Sequence, residues 1–139
     1  MTVGDVGLVQ VDVVVEDAHA AIFVDVRIGD AHIAIVHFRL NSPECGREHE
    51  DVLREDLRRL LESVQTTKVI VDLAGVANCS SGTLGALIDS QKELAHRSGQ
   101  LCLCRLNDHL HEKLRTLNLE GTVFRIYESE SEAIAAFQR

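Results

Sequence analysis

The chain has 139 residues, 45% hydrophobic and 26% charged, an ordinary globular composition long enough for one domain with a real core. Its formal net charge of −8 argues against nucleic acid or an anionic membrane as partner, since both need clustered Lys and Arg. It permits a partner with a basic face.

No apolar run reaches the ~18 residues of a membrane span, and Met1–Asp5 lacks a basic leader region. A cytoplasmic protein is expected. Cys45, Cys79, Cys102 and Cys104 show no C-x-x-C spacing. Cys102 and Cys104 sit in an apolar run and read as small core hydrophobes rather than metal ligands. His109 and His111 would point about 200° apart on a helix, a poor metal pair. Neither a metal nor a cofactor is expected.

Val9, Val11, Val13 and Val15 alternate weakly with other residues, predicting an extra strand within an N-terminal extension, residues 1–19. The domain proper is then 20–139. Ala21–Arg27 reads as a strand, Ile28–Ala31 as a tight turn and His32–Phe38 as the returning strand. Ser42-Pro43-Glu44 carries a helix-start signal: a cap, a proline at the first helical position and an acid in the first turn. The helix itself is clearest from about Glu48, with Val52, Leu53, Leu57, Leu60, Leu61 and Val64 as its apolar stripe.

Val69–Asp72 follows as a buried strand. A small, polar turn then leads into a second helix from about Ser81 to His96, burying Leu84, Leu87, Ile88 and Leu94, with Gly99 as the expected residue just past its end. Leu101–Cys104 is another buried strand. Asn107 caps a third helix carrying Leu110, Leu114 and Leu117. Val123–Tyr127 makes a last strand, and Ser129…Glu132 opens a final helix with capping-box spacing. Strands alternating with helices force right-handed crossovers and parallel pairing. The expected fold is a single α/β domain: a mixed, mostly parallel sheet opened by a β-hairpin, with four helices.

The turn before the second helix is the one candidate for chemistry. Two hydroxyls at a helix N-terminus meet unpaired N–H groups and the positive end of the macrodipole. The P-loop spacing is absent because Ser81-Gly82-Thr83 has no Lys, and neither G-x-S-x-G nor G-x-G-x-x-G is present. The plain alternative is helix capping, worth ~1 kcal/mol. An enzyme would have to use Ser81 with His96 or His37, and no paired base is visible in the sequence. An anion or nucleotide site on the same N–H groups is a further alternative.

Several separated landmarks then fall in register. Asp72-Leu73-Ala74-Gly75-Val76, the serine turn, Leu84-Gly85-Ala86-Leu87, Gly99-Gln100-Leu101 and the Ser-rich acidic last helix together resemble the STAS domain over about residues 20 to 138. That family includes bacterial anti-sigma factor antagonists and the cytoplasmic domains of sulfate transporters. A transporter would need a membrane domain on the same chain, and this sequence carries none.

The resemblance implies a STAS-like fold and a signature Asp-Ser-Ser-Gly-Leu-Gly. In the family its second Ser is phosphorylated by a kinase that doubles as the anti-sigma factor. Aligned without a gap, the signature falls on Ser80–Gly85: Ser80 takes the Asp position, Ser81 the first Ser and Gly82 the acceptor. Aligning Ser-Ser-Gly directly makes Ser81 the acceptor, with Cys79 at the Asp.

Ser81 and then Ser80 are the phosphorylation candidates. Asn78, Cys79, Ser80, Ser81, Gly82 and Thr83 form the expected partner-binding turn. The implied partners are a kinase-like anti-sigma factor and a phosphatase, with a second copy paired through the N-terminal extension as a further expectation. A constitutive scaffold without the phosphoswitch is the alternative within the family.

Overall fold

The computed structural model describes residues 8–13, 21–28, 31–38, 44–45, 47–63 and 67–138. In chain order the elements are β1 (Leu8–Val13), β2 (Ala21–Ile28), β3 (Ala31–Phe38), β4 (Glu44–Cys45), α1 (Arg47–Ser63), β5 (Lys68–Asp72) and β6 (Asn78–Cys79). There follow α2 (Ser81–His96), β7 (Gln100–Cys104), α3 (Asp108–Thr116), β8 (Arg125–Tyr127) and α4 (Glu130–Phe137). Six strands form one sheet in the order β1-β2-β3-β5-β7-β8, and β4 pairs with β6 apart from it. β1, β2 and β3 are antiparallel; β3, β5, β7 and β8 are parallel.

Alternation along the strands makes two cores. Ala34, Val36, Val69, Val71, Leu101 and Leu103 face one way, beneath Leu53 and Leu57 of α1, Leu84, Leu87 and Leu94 of α2, and Leu110 and Leu114 of α3. Ile33, Ile35, Ile70, Cys102 and Cys104 face the other way, against Ala133 of α4 with Tyr127, Ile134 and Phe137 packed around them. Three helices on one face follow from three crossovers of the same hand. α4 comes after the last strand and is left to cover the opposite face. Strands buried on both sides must be apolar at every position, which is why β5 and β7 read as unbroken hydrophobic runs.

The structure corrects four expectations. The helix-start signal does not start a helix, because Glu44–Cys45 is extended and pairs in parallel with Asn78–Cys79, so α1 begins at Arg47. Ser42 and Pro43 lie outside the described residues, as do Gly29 and Asp30 of the hairpin turn, Val15 of the extension, Val64, and the side chains of Val52 and Leu60. The last strand is shorter than expected, since Val123 stands in a turn and only an isolated bridge joins Phe124 to Glu120. Leu117 is not on the buried stripe of α3. It is the C-cap and 52% exposed, being seven residues past the buried Leu110 where the helix has already ended.

The fourth correction concerns the end of α2. The left-handed residue is Ser98, at φ 60°, not Gly99. Its N–H bonds Ala95 O and the Gly99 N–H bonds Leu94 O, the paired arrangement of a Schellman end. Gly99 serves a different purpose: a Cβ there would sit 2.3 Å from the Thr67 carbonyl oxygen. That oxygen accepts the Gln100 N–H at 2.8 Å, so it cannot move aside.

Two predictions follow from this packing. Gly99→Ala is expected to cost ~1–3 kcal/mol by overpacking, whereas Ser98→Gly should gain up to ~1 kcal/mol by relieving left-handed strain; urea denaturation of both variants checks the opposite signs. Cys102 and Cys104 are 1% and 0% exposed. Burial pushes the Cys102 thiol up to about 12, and burial together with the nearby Asp72 charge raises that of Cys104 as well. Neither thiol should react with a thiol reagent at neutral pH until the protein is unfolded, and rapid labelling of both in the native state would contradict the packing.

Candidate functional site

The C-terminal ends of the parallel strands gather the polar side chains. β5 ends at Asp72, whose Oδ1 accepts the Ala74 N–H at 2.9 Å. The Val76 N–H then bonds Leu73 O at 3.0 Å across Gly75, at φ 82°. A turn with positive φ at its third residue needs glycine there. The chain next lays Asn78–Cys79 beside β4 and enters α2.

At that entrance the two serines separate in role. Ser80 is the N-cap: its Oγ accepts the Thr83 N–H at 3.2 Å and lies 3.1 Å from Thr83 Oγ1. Thr83 is fully buried. Ser81 is the first helical residue and is exposed, and among the described residues its hydroxyl has no partner. Of the other residues expected in the turn, Cys79 is buried, and Asn78 and Gly82 are half-buried. Cys79 and Thr83 therefore shape the turn from within, while Ser81 presents its surface.

α3 holds the turn from one side. Asn107 caps α3 by accepting the Leu110 N–H at 2.8 Å and donates from Nδ2 to Ala77 O at 3.1 Å. Lys113 donates from Nζ to Cys79 O and, at 3.3 Å, to Asn78 Oδ1. Asn107 is legible in the sequence as a cap. Lys113 is not, because nothing local distinguishes it from any other exposed helical lysine. Beside this junction a cleft of about 310 Å³ is lined by Leu73, Gly75, Val76, Ala77, Arg105 and Asn107.

Around the corner of the same edge lies an ion-pair cluster that the sequence does not reveal. The Asp72 side chain is fully buried and is gripped by Arg105 through Nε, 3.0 Å from each carboxylate oxygen, and through Nη2. Arg105 also lies 3.5 Å from Glu130 in the first turn of α4. His37, at the end of β3, lies 3.6 Å from Asp72 and 3.3 Å from Glu130. Arg105 follows β7 with φ 57°, a left-handed conformation rare outside glycine and asparagine. Donor atoms of His37, Asp72 and Glu130 lie within 4.8 Å of one another, but the Arg105 guanidinium already supplies the cation. The cluster reads as an internal network tying β3, β5, β7 and α4 together.

The two carboxyls titrate apart. Burial pushes Asp72 up, but hydrogen bonds from Glu130, Arg105 and the Ala74 N–H outweigh it and hold the carboxyl below its ordinary value. Burial, the hydrogen bond to Asp72 and the Asp72 charge push Glu130 up to about 7. The Glu130 side chain thus keeps a proton that the unfolded chain releases near 4.5.

Such a group binds more protons folded than unfolded across that window, so stability falls as pH rises from about 4.5 to about 7. The Asp72 contribution has the opposite sign. It is present above the ordinary value of 3.8 and is lost as pH falls through the lower folded value. Maximum stability is expected on the acid side of neutrality. Glu130→Gln, which retains a donor toward Asp72 without a charge, should flatten the decline toward neutral pH and raise the melting temperature near pH 8 by several degrees. Thermal melts of both proteins from about pH 5 to about pH 8 measure this.

The pairing of Ser81 with His96 loses its geometry. Ser81 and His96 stand at opposite ends of α2, about 22 Å apart at 1.5 Å per residue. His37 is engaged by Asp72 and Glu130.

With this fold and site in view, comparison with known proteins gives the class. The STAS domain model matches residues 32–133, and the chain belongs to that family. Among solved structures, an anti-sigma-factor antagonist (STAS) domain protein from Planctomyces limnophilus superposes with a TM-score of 0.68 at 19% identity, covering 84% of this chain and 98% of that one. The anti-sigma factor antagonist SpoIIAA in its unphosphorylated form gives 0.61 at 13% identity, covering 86% and 98%. The Bacillus SpoIIAA in its phosphorylated form gives 0.60 at 14% identity, covering 85% and 99%. STAS folds also occur within larger proteins: the murine anion transporter Slc26a9 gives 0.61 at 16% identity, with 76% of this chain matching 18% of that one. No curated protein sequence matches the chain significantly. Among the described residues no helix is long and apolar enough to cross a membrane.

Proposed function

We propose that this chain is a non-enzymatic cytoplasmic signalling module of the anti-sigma factor antagonist type. It docks a kinase-like anti-sigma or related regulatory protein through the Asn78–Thr83 turn and the start of α2. Binding is released by charge placed on Ser81, with a phosphatase reversing the change.

The observation that carries this reading is the division of labour between the serines. Ser80 is committed to capping through Thr83, and Ser81 stands exposed with no partner among the described residues. A modifying enzyme can reach Ser81 without unmaking the cap.

A phosphate would add about −1.5 to −2 charges at that point. The helix N-terminus tolerates negative charge and favours it by ~0.3–1 kcal/mol. A partner surface that fits a small neutral hydroxyl does not, since burying an unpaired anion costs several kcal/mol. The fold would survive and the contact would break.

Ser81→Asp is therefore expected to change stability by less than ~1 kcal/mol while weakening partner binding at least tenfold. Ser81→Ala should bind normally and resist modification. Intact-mass analysis after incubation with the kinase and ATP, followed by binding assays on each variant, decides the matter. No added phosphate, together with unchanged binding by Ser81→Asp, would leave a constitutive scaffold.

A further inference from the structure

α1 and α2 border a groove of about 350 Å³ whose lining includes Arg54, Arg58 and Arg97 together with Glu62, Asp89 and Glu93. Two of these arginines use both Nη atoms. Arg58 bonds Glu55 and Glu62, and Arg97 bonds Glu93 and the Leu61 carbonyl. Arg54 is different: among the described residues only its Nη1 has an acceptor, Asp89 Oδ2 at 2.5 Å. Its Nη2 lies over Gly85, where a Cβ would be 3.7 Å away.

Gly85 stands four residues after Ser81 on α2. The two share one helix face, with Cβ positions about 5–6 Å apart. Glycine at 85 removes the α2 side chain that would otherwise stand between Ser81 and the Arg54 guanidinium on that row.

We propose that Arg54 is the internal receptor for a phosphoryl group on Ser81: the group lies along α2 over Gly85 and accepts from Nη2, while Nη1 stays with Asp89. A phosphoryl group offers three acceptor oxygens, and its bonds from a guanidinium are charge-assisted and frequently paired. Arg54 and Asp89 are 49% and 63% exposed. An exposed pair holds its members weakly, so Arg54 can turn toward the stronger charge through its own rotamers. Lys113, which also reaches this turn, already donates to Cys79 O and Asn78 Oδ1. The backbone of α2 need not move.

The inference deepens the function proposed above and rests on Ser81 as the modified residue. It adds where the charge goes: held along the exposed start of α2 instead of projecting freely into solvent. The side-chain response needs no partner and is measured without one.

The test installs phosphoserine at position 81 of the full chain during translation and follows its phosphorus NMR resonance across pH. The second pKa of such a group is ordinarily about 6, and a nearby guanidinium favours the dianion. After solvent screening, the phosphate is expected to titrate roughly 0.5–1 pH lower in the wild-type background than in Arg54→Gln. Arg58→Gln, which removes the same charge one turn farther along α1, should titrate like wild type. Equal titration in the wild-type and Arg54→Gln backgrounds would overturn the proposal. So would an Arg58→Gln effect as large as that of Arg54→Gln, which marks a diffuse field and not a contact. Because the phosphate is installed without a kinase, either result is separate from whether the partner modifies Ser81.

Discussion

The edge of the sheet that carries the site depends on one buried charge. Asp72 closes the central strand β5, and its side chain has no exposure to water. An isolated carboxylate in that position would be prohibitively expensive. Arg105 answers it from the end of β7, Ala74 from the following turn, and Glu130 from α4. The left-handed conformation of Arg105 is what turns the chain at the strand end, and the ion pair makes that strain tolerable. Arg105 is itself about half exposed, so solvent screens part of the attraction, but without it the buried Asp72 carboxylate would lose its main cationic partner. Asp72 and Arg105 together tie the ends of β5 and β7 at this edge.

From this anchor the two layers can be understood together. The path leaving Asp72 runs to the turn before α2 on the side of α1, α2 and α3, where Asn107 and Lys113 hold it. The groups answering Asp72 reach toward α4 on the opposite side. The turn and the cluster share an edge but use separate supports. A change of charge at Ser81 acts first on N–H groups of α2 and on whatever lies opposite it, with Thr83 and Ser80 bonded to each other behind it.

What could be read from the sequence was what local chemistry decides. Val69–Asp72 and Leu101–Cys104 are unbroken apolar runs because both faces of the sheet are covered. Ser80, Asn107 and Ser129 are caps because each side-chain oxygen reaches the N–H three residues on. What escaped depends on distant partners. Ser42-Pro43-Glu44 resembles a helix start, yet Glu44–Cys45 is captured by a strand 34 residues later. Gly99 resembles a helix stop, yet its lack of a side chain answers the Thr67 carbonyl, and Ser98 accepts the strained conformation instead. The cluster of His37, Asp72, Arg105 and Glu130 comes from four elements, and no spacing rule connects them.

The division at the head of α2 also determines what kind of switch this site can be. A modification on Ser80 would break the cap, costing ~1 kcal/mol of helix stability, and would press charge against buried Thr83. That would couple regulation to partial unfolding. On Ser81 the same charge meets open N–H groups and solvent, gaining ~0.3–1 kcal/mol. At an interface, two like charges 4 Å apart repel by about 4 kcal/mol at the effective dielectric near a protein surface, nearly a thousandfold in affinity. The same charge is thus mildly favourable to the fold and strongly unfavourable to a neutral or acidic partner surface. A switch built on Ser81 needs no second conformation, because the difference between those two energies already separates bound from released.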